Sequence, residues 1–126
     1  MQILQKVIVK QVLTEKMKQA LLSSYEEKQN QLEKEYRQLQ FEQKKAERQR
    51  KNQSAKTYHF YEKEMEKREE MIKNVEFQRS QLELLPLGSE LKEKEAQSIV
   101  DIRVGDRWEG TEKTVIVKDG IVIEIR

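Results

Sequence analysis

Residues 44–61 read KKAERQRKNQSAKTYHFY, and the fold turns on whether the chain bends inside them. N-terminal to this stretch a heptad can be written through Leu22, Gln29, Tyr36, Gln43 and Arg50 at a and Tyr25, Leu32, Leu39 and Ala46 at d. C-terminal to it a second frame runs Tyr58, Tyr61, Met65, Arg68, Ile72, Val75, Arg79 and Leu82, alternately a and d. Continued forward, the first frame puts its next a position at Thr57, one residue short of Tyr58. The slip falls beside Asn52-Gln53-Ser54, the most turn-tolerant run in a region of helix formers. Two architectures satisfy both frames. One is an antiparallel hairpin with its tip near 51–57; the other is a single helix of about 100 Å paired with a second chain.

The flanks favour the hairpin. Residues 1–13, MQILQKVIVKQVL, are rich in Val and Ile and read as a strand. Thr14 ends it as a helix N-cap, followed by Glu15 in the first turn, and no Gly or Pro interrupts the chain from there to Leu85. Pro86 stops the helical region, because it lacks an amide hydrogen and clashes with the preceding turn. Val100, Ile102 and Val104 alternate with Asp101 and Arg103 as a half-buried strand, and Thr114–Lys118 and Ile121–Ile125 flank Asp119-Gly120, a strong type I′ hairpin signal. A hairpin of helices returns the chain to its start, so strands from both termini can share one sheet, which no single segment could sustain. Met17 and Leu21, off the seam, are expected to cover that sheet.

The expected fold is therefore α+β: a long antiparallel helical coiled-coil hairpin (14–85) inserted in a small antiparallel β module built from both termini (1–13 plus 86–126). The composition agrees with a chain that stays largely wet. Of 126 residues, 38% are charged and 36% hydrophobic. A net charge of +2 is too even to nominate nucleic acid or an anionic membrane by itself. The absence of Cys removes disulfides, thiolate catalysis and Cys-based zinc sites. The N-terminus does not read as a signal peptide, and no segment approaches the length of a membrane span. A soluble cytoplasmic protein without membrane contact is expected.

The inventory for catalysis is thin, and no enzyme, cofactor or metal site is expected. His59 is the single histidine, with no Cys and no Ser–Asp arrangement near it in sequence. Neither GxGxxG nor GxxxxGK[ST] occurs. Glu62, Glu64, Glu66, Glu69 and Glu70 are interleaved with Lys63, Lys67 and Arg68, the spacing of a solvated helix face.

One local feature rises above this background. Lys44, Lys45, Arg48, Arg50, Lys51 and Lys56 stand against the single acid Glu47, and Tyr58, His59, Phe60 and Tyr61 follow at once. Cations that neutralise phosphates beside rings on which bases could stack make a candidate RNA-contacting tip. The plainer alternative is a solubilising tip whose Tyr58 and Tyr61 are spent on the seam. Asp106, Arg107 and Trp108 form a second candidate surface on the β module, although a Trp after a Gly-Asp turn more often closes the end of a small sheet.

Four stretches carry a resemblance: VIVKQVLTEK (Val7–Lys16), LLPLGSELKEKE (Leu84–Glu95), VDIRVGDRW (Val100–Trp108) and IVKDGIVIEIR (Ile116–Arg126). Together they resemble the YlqD family, small bacterial proteins chiefly of Gram-positive rods. The likeness spans the chain and is specific at both ends. It implies no catalytic residue, and the family's gene neighbourhood implies a setting in translation or RNA maturation.

The leading functional reading is a non-enzymatic interaction protein in which a coiled-coil arm presents a binding tip. Its partner would be another protein or a second copy of the chain, with a homodimer among the options. The alternative is RNA or ribosome binding through the basic tip. The polar residues Gln29, Gln43, Arg50, Arg68 and Arg79 at a or d sacrifice stability and would specify register or leave room for a partner.

Overall fold

The computed structural model describes residues 1–49, 55–108 and 112–126. In chain order it has β1 (Gln2–Val12), α1 (Glu15–Gln49), α2 (Ala55–Leu84), β2 (Glu90–Asp101), β3 (Lys113–Lys118) and β4 (Ile121–Ile125). The class is α+β. The chain divides into two compact units, one of residues 1–18 plus 85–126 and one of residues 19–84.

The first unit is an open four-stranded sheet in the order β2-β1-β3-β4. It is mixed rather than wholly antiparallel. β1 runs antiparallel to β2 but parallel to β3, and β3 and β4 form the hairpin expected at Asp119-Gly120. The parallel pair follows from topology: the chain leaves β1 through the helices, returns down β2, and must cross β1 to reach its other edge. Asp119 and Gly120 adopt φ of 46° and 80°, as a type I′ turn requires of both central residues.

β2 begins ten residues earlier than the strand expected at Val100, and it ends at Asp101, so Ile102 and Val104 lie beyond it. The cause is a bulge. Opposite Val9 and Lys10 stand Lys94 and Lys92, so Glu93 is the extra residue. Leu91 and Ala96, five apart and hence on opposite faces of a regular strand, are brought to one face with Ser98 and Val100. The alternation that marks a strand is broken at that point in the sequence. β4 is displaced in the same way at Ile123.

Just past the end of β1, Leu13 is fully buried. Its N–H donates to the Ser89 carbonyl, and its own carbonyl accepts from the Gly88 N–H, each at 2.8 Å. Gly88 has φ of +92°, a conformation that disfavours a side chain. Thr14 caps α1 as expected: its Oγ1 accepts from the Met17 N–H at 3.2 Å and donates to Asp119 Oδ1 at 2.8 Å. Lys18 Nζ donates to the Leu85 carbonyl at 2.9 Å. Met17 lines a hollow of the sheet with Gln11 and Leu91.

The second unit is a helical hairpin. Its antiparallel register is read from its cross-helix bonds: Gln29 faces Glu76, Gln43 faces Glu62, and Glu35 faces Arg68. Leu32, Met65, Val75 and Leu82 form its buried apolar core, with Gln43 buried among them. Every a and d residue written from the sequence between Leu22 and Ala46, and between Tyr61 and Leu82, is buried or half-buried. Tyr58 departs from the pattern and is 45% exposed. The same register sets it opposite the charged, exposed Glu47, which offers no apolar surface to pack on.

Candidate functional site

The turn end of the helical hairpin carries the first candidate surface. Lys44, Lys45 and Arg48 project from the last turns of α1, Lys56 and His59 from the first turns of α2, and all five are exposed. Arg50 and Lys51, the remaining candidates, lie outside the described residues. Among the described residues, Lys44, Lys45, Arg48 and Lys56 have no ion-pair partner. The rings beside them are divided. Tyr58 and Phe60 are exposed, whereas Tyr61 is half-buried toward the seam. Tyr58 meets His59 edge-on at 6.1 Å between centroids, and Phe60 meets Tyr61 edge-on at 5.5 Å. The arrangement is one of unpaired cations beside accessible ring surface.

The seam behind this tip is saturated by its own bonds. Gln43 Nε2 donates to Glu62 Oε1 at 2.9 Å, and Gln29 Nε2 donates at 3.3 Å to both Glu33 and Glu76. Midway between them the Tyr36 hydroxyl is hydrogen-bonded to Glu69, which raises the phenol's pKa above its ordinary value. Gln29, Tyr36 and Gln43 are spaced by seven, as are their partners Glu76, Glu69 and Glu62. The three bonds thus repeat once per heptad and disfavour any slip of the antiparallel register by less than a heptad. Sequence reasoning found the α1 side of this ladder and took the α2 glutamates for solvated face. The signal that could have found them is the run Glu62, Glu69, Glu76 and Glu83 on one stripe of α2. A polar hollow of about 390 Å³ opens beside Tyr36, Gln43, Glu62 and Glu69. Arg68 is held by Glu64 at 2.9 Å and by Glu35 at 3.6 Å, so this seam cation is paired.

The β unit carries the second candidate surface, and its three residues separate. Asp106 is spent on its own turn: Oδ2 accepts from the Arg103 N–H at 2.8 Å, and the Asp106 N–H donates to the Arg103 carbonyl at 3.1 Å. Gly105 between them has φ of +100°. Trp108, expected to close the sheet, is instead 74% exposed. Arg107 and Trp108 line a hollow of about 460 Å³ with Ile3, Leu4, Lys6, Val100 and Lys113 among its walls.

Ion pairs cover one face of the same sheet. Arg126, just past β4, grips Glu90 of β2 through two bonds of 2.6 and 2.8 Å and also holds Glu124. Lys6 lies between Glu95 at 3.3 Å and Glu112 at 3.1 Å. The guanidinium holds the Glu90 carboxyl below the usual carboxylate range, Lys92 and Lys6 do the same for Glu95, and Glu112 raises Lys6. Among the described residues no group of His, Asp or Glu is arranged to hold a metal ion. No helix among them is long and apolar enough to cross a membrane.

Known proteins place this architecture. A crystal structure of a protein of unknown function from Synechococcus sp. WH 8102 superposes with a TM-score of 0.73 at 20% identity, covering 100% of this chain and 94% of that one. That likeness establishes the fold alone. A curated relative, "Uncharacterized protein YlqD" of Bacillus subtilis (strain 168), is 45% identical over 128 residues, covering 100% of this chain and 98% of its own length. With the family model described as YlqD protein also matching residues 1–126, the chain belongs to the YlqD family.

Proposed function

We propose that the protein is a non-enzymatic interaction protein whose coiled-coil arm presents the turn end of the hairpin to a partner. The observation that carries this reading is the contrast within the helical unit. The seam cation Arg68 and the seam amides Gln29 and Gln43 are bonded, while Lys44, Lys45, Arg48 and Lys56 at the turn end have no described ion pair. Unpaired cations cost nothing in water, so they add little to the fold and remain available for a partner. The partner is a protein with an acidic surface or a second copy of the chain, in a cytoplasmic setting.

A second reading is favoured by Tyr58 and Phe60, exposed beside those cations: an RNA- or ribosome-associated arm, using phosphate neutralisation and stacking. The test is co-sedimentation with ribosomes and with free structured RNA along a salt series, comparing the wild type with a Lys44→Gln, Lys45→Gln, Arg48→Gln variant. Salt-sensitive binding lost in the variant establishes the RNA reading. No binding at low salt removes it. Photo-crosslinking from position 48 should then give a discrete protein adduct, and its absence removes the tip from the argument altogether.

A further inference from the structure

We propose that the outer edge of β4 docks the β4 of a second copy of the chain, the two strands pairing antiparallel so that Val122 of each meets Ile125 of the other. This edge lies in the β unit, so it and the hairpin tip can fail independently.

β4 is the last strand on its side of the sheet, and the β3–β4 hairpin is described along its whole length. Which of its backbone groups point outward follows from the ladder. Thr114 and Arg126 exchange both of their bonds, at 3.0 and 2.7 Å. Bonded pairs alternate in an antiparallel ladder, so Ile116 and Glu124 are the next such pair, and Ile125, between Glu124 and Arg126, turns its N–H and C=O outward. At the other end Lys118 and Ile121 flank the two-residue turn as a bonded pair, so Val122 also points outward. The extra residue Ile123 then decides the faces. Val122 and Ile125 are three apart and would take opposite faces of a regular strand, but the bulge brings both to the face of their partners Val117 and Val115. The edge thus presents four backbone groups and two apolar side chains that share a face.

The character of the edge suits a copy of itself. Ile121, Val122, Ile123 and Ile125 are each more than half exposed. The single acid of β4 is neutralised from within, because Glu124 accepts from Arg126 at 3.0 and 3.2 Å, and Arg126 is held by Glu90 as well. An edge without unpaired charge has nothing to steer a charged partner and does not repel its own copy. A two-fold axis between the pairs sets Val122 against Ile125 of the second copy and Ile125 against its Val122. All eight outward groups are then used in four backbone bonds, with an apolar cross-strand pair at each end. The opposite edge of the sheet is built differently. β2 carries Lys92, Glu93, Lys94 and Glu95 around its bulge, charges of the kind that discourage strand addition. The assembly therefore closes at two copies instead of growing into a fibre. Strands of five residues bury less than a permanent dimer needs, so the association is reversible.

The test follows the full chain by sedimentation equilibrium and by hydrogen exchange of its backbone amides, over concentrations up to about 1 mM. The wild type should pass from monomer to dimer, with the Val122 and Ile125 amides becoming protected in step. Two charged variants examine the register: Val122→Lys with Ile125→Lys, and Val122→Glu with Ile125→Glu. Each alone opposes like charges across the axis and should stay monomeric, whereas their equimolar mixture should dimerise, because every lysine then faces a glutamate. A wild type that remains monomeric, or that dimerises with exchange at Val122 and Ile125 unchanged, overturns the proposal. So does a lysine variant that dimerises like the wild type, or a mixture of folded variants that stays monomeric. The exchange measurement needs no substitution and decides the matter if a variant misfolds. Protection of these two amides by an added, acetylated Thr-Val-Thr-Val-Thr peptide in a chain that stays monomeric would assign the edge to a foreign strand and remove the second copy.

Discussion

The helical unit turns polar side chains inward, and the β unit keeps them outside. In the hairpin, Gln29, Tyr36 and Gln43 occupy seam positions and spend their hydrogen bonds on Glu76, Glu69 and Glu62. In the sheet unit, Arg126, Glu90, Lys6 and Glu95 pair with their side chains open to water, while Leu13 is fully buried. The difference reflects what each unit must specify. Two long helices can slip against each other by less than a heptad at modest cost in apolar contact, and a polar ladder that repeats once per heptad penalises such slips by breaking all of its bonds together. A sheet has its register set by backbone bonds and by the side-chain face each residue takes, so its charges are free to lie on the surface.

Truncating the two cores tests this contrast at its largest. Leu13→Ala removes a fully buried side chain held between strand and turn and should cost stability within the range of about 2–5 kcal/mol, toward its upper end. Leu32→Ala, in a two-helix seam that can close up, should fall toward the lower end of the same range. Denaturant unfolding of both variants measures the difference, and equal costs would mean that the hairpin seam is as rigid as the β core.

The ladder itself gives a smaller effect of opposite sign. Gln29→Leu with Gln43→Leu should raise the melting temperature, because added apolar burial contributes roughly 1 kcal/mol of stability per site. Glu62, Glu33 and Glu76 are exposed or half-buried and can recover their lost bonds from water. No rise in melting temperature would show that these positions are not at a packed seam.

The smallest effect belongs to the surface pairs. Glu90, Glu95 and Glu64 have carboxyls held below their ordinary range by Arg126, by Lys92 and Lys6, and by Lys67 and Arg68 respectively. The unfolded chain binds protons there more readily, so their contribution is complete above the ordinary carboxylate range and is lost as pH falls through the lowered values. Lys6, raised by Glu112 and Glu95, has the reverse dependence: its contribution is complete below the ordinary lysine value and lost as pH rises through the raised one. Glu90→Gln should flatten the acid limb of unfolding followed by circular dichroism. Unchanged acid sensitivity would assign that limb to other groups.

Much of the hairpin is legible in the sequence because helical contacts repeat. Leu32, Met65, Val75 and Leu82 can be named as seam residues by counting in sevens, whereas the slip between the frames falls beside residues 50–54, outside the described residues. The e-position glutamates are harder to read, since a Glu on a helix looks the same whether it meets water or a glutamine across the seam. In the sheet, Thr14 as a cap and Asp119-Gly120 as a turn are local features and are legible for that reason. β2 is not, because the bulge at Glu93 moves Leu91 out of phase with Ala96. Of the candidate surfaces, the sequence supplies the tip cations and Trp108, but not the fact that Asp106 is consumed by its own turn.

The sequence alone determined the elements whose cause is local or periodic: the capped start of α1 at Thr14, the stop at Pro86, the heptad seams and the type I′ hairpin. Only the tertiary structure decided the parallel pairing of β1 with β3, the bulge in β2, the glutamate partners of the ladder and the exposure of Trp108. Each of these depends on which distant segment lies alongside, and a one-dimensional pattern records a residue's period but not its neighbour.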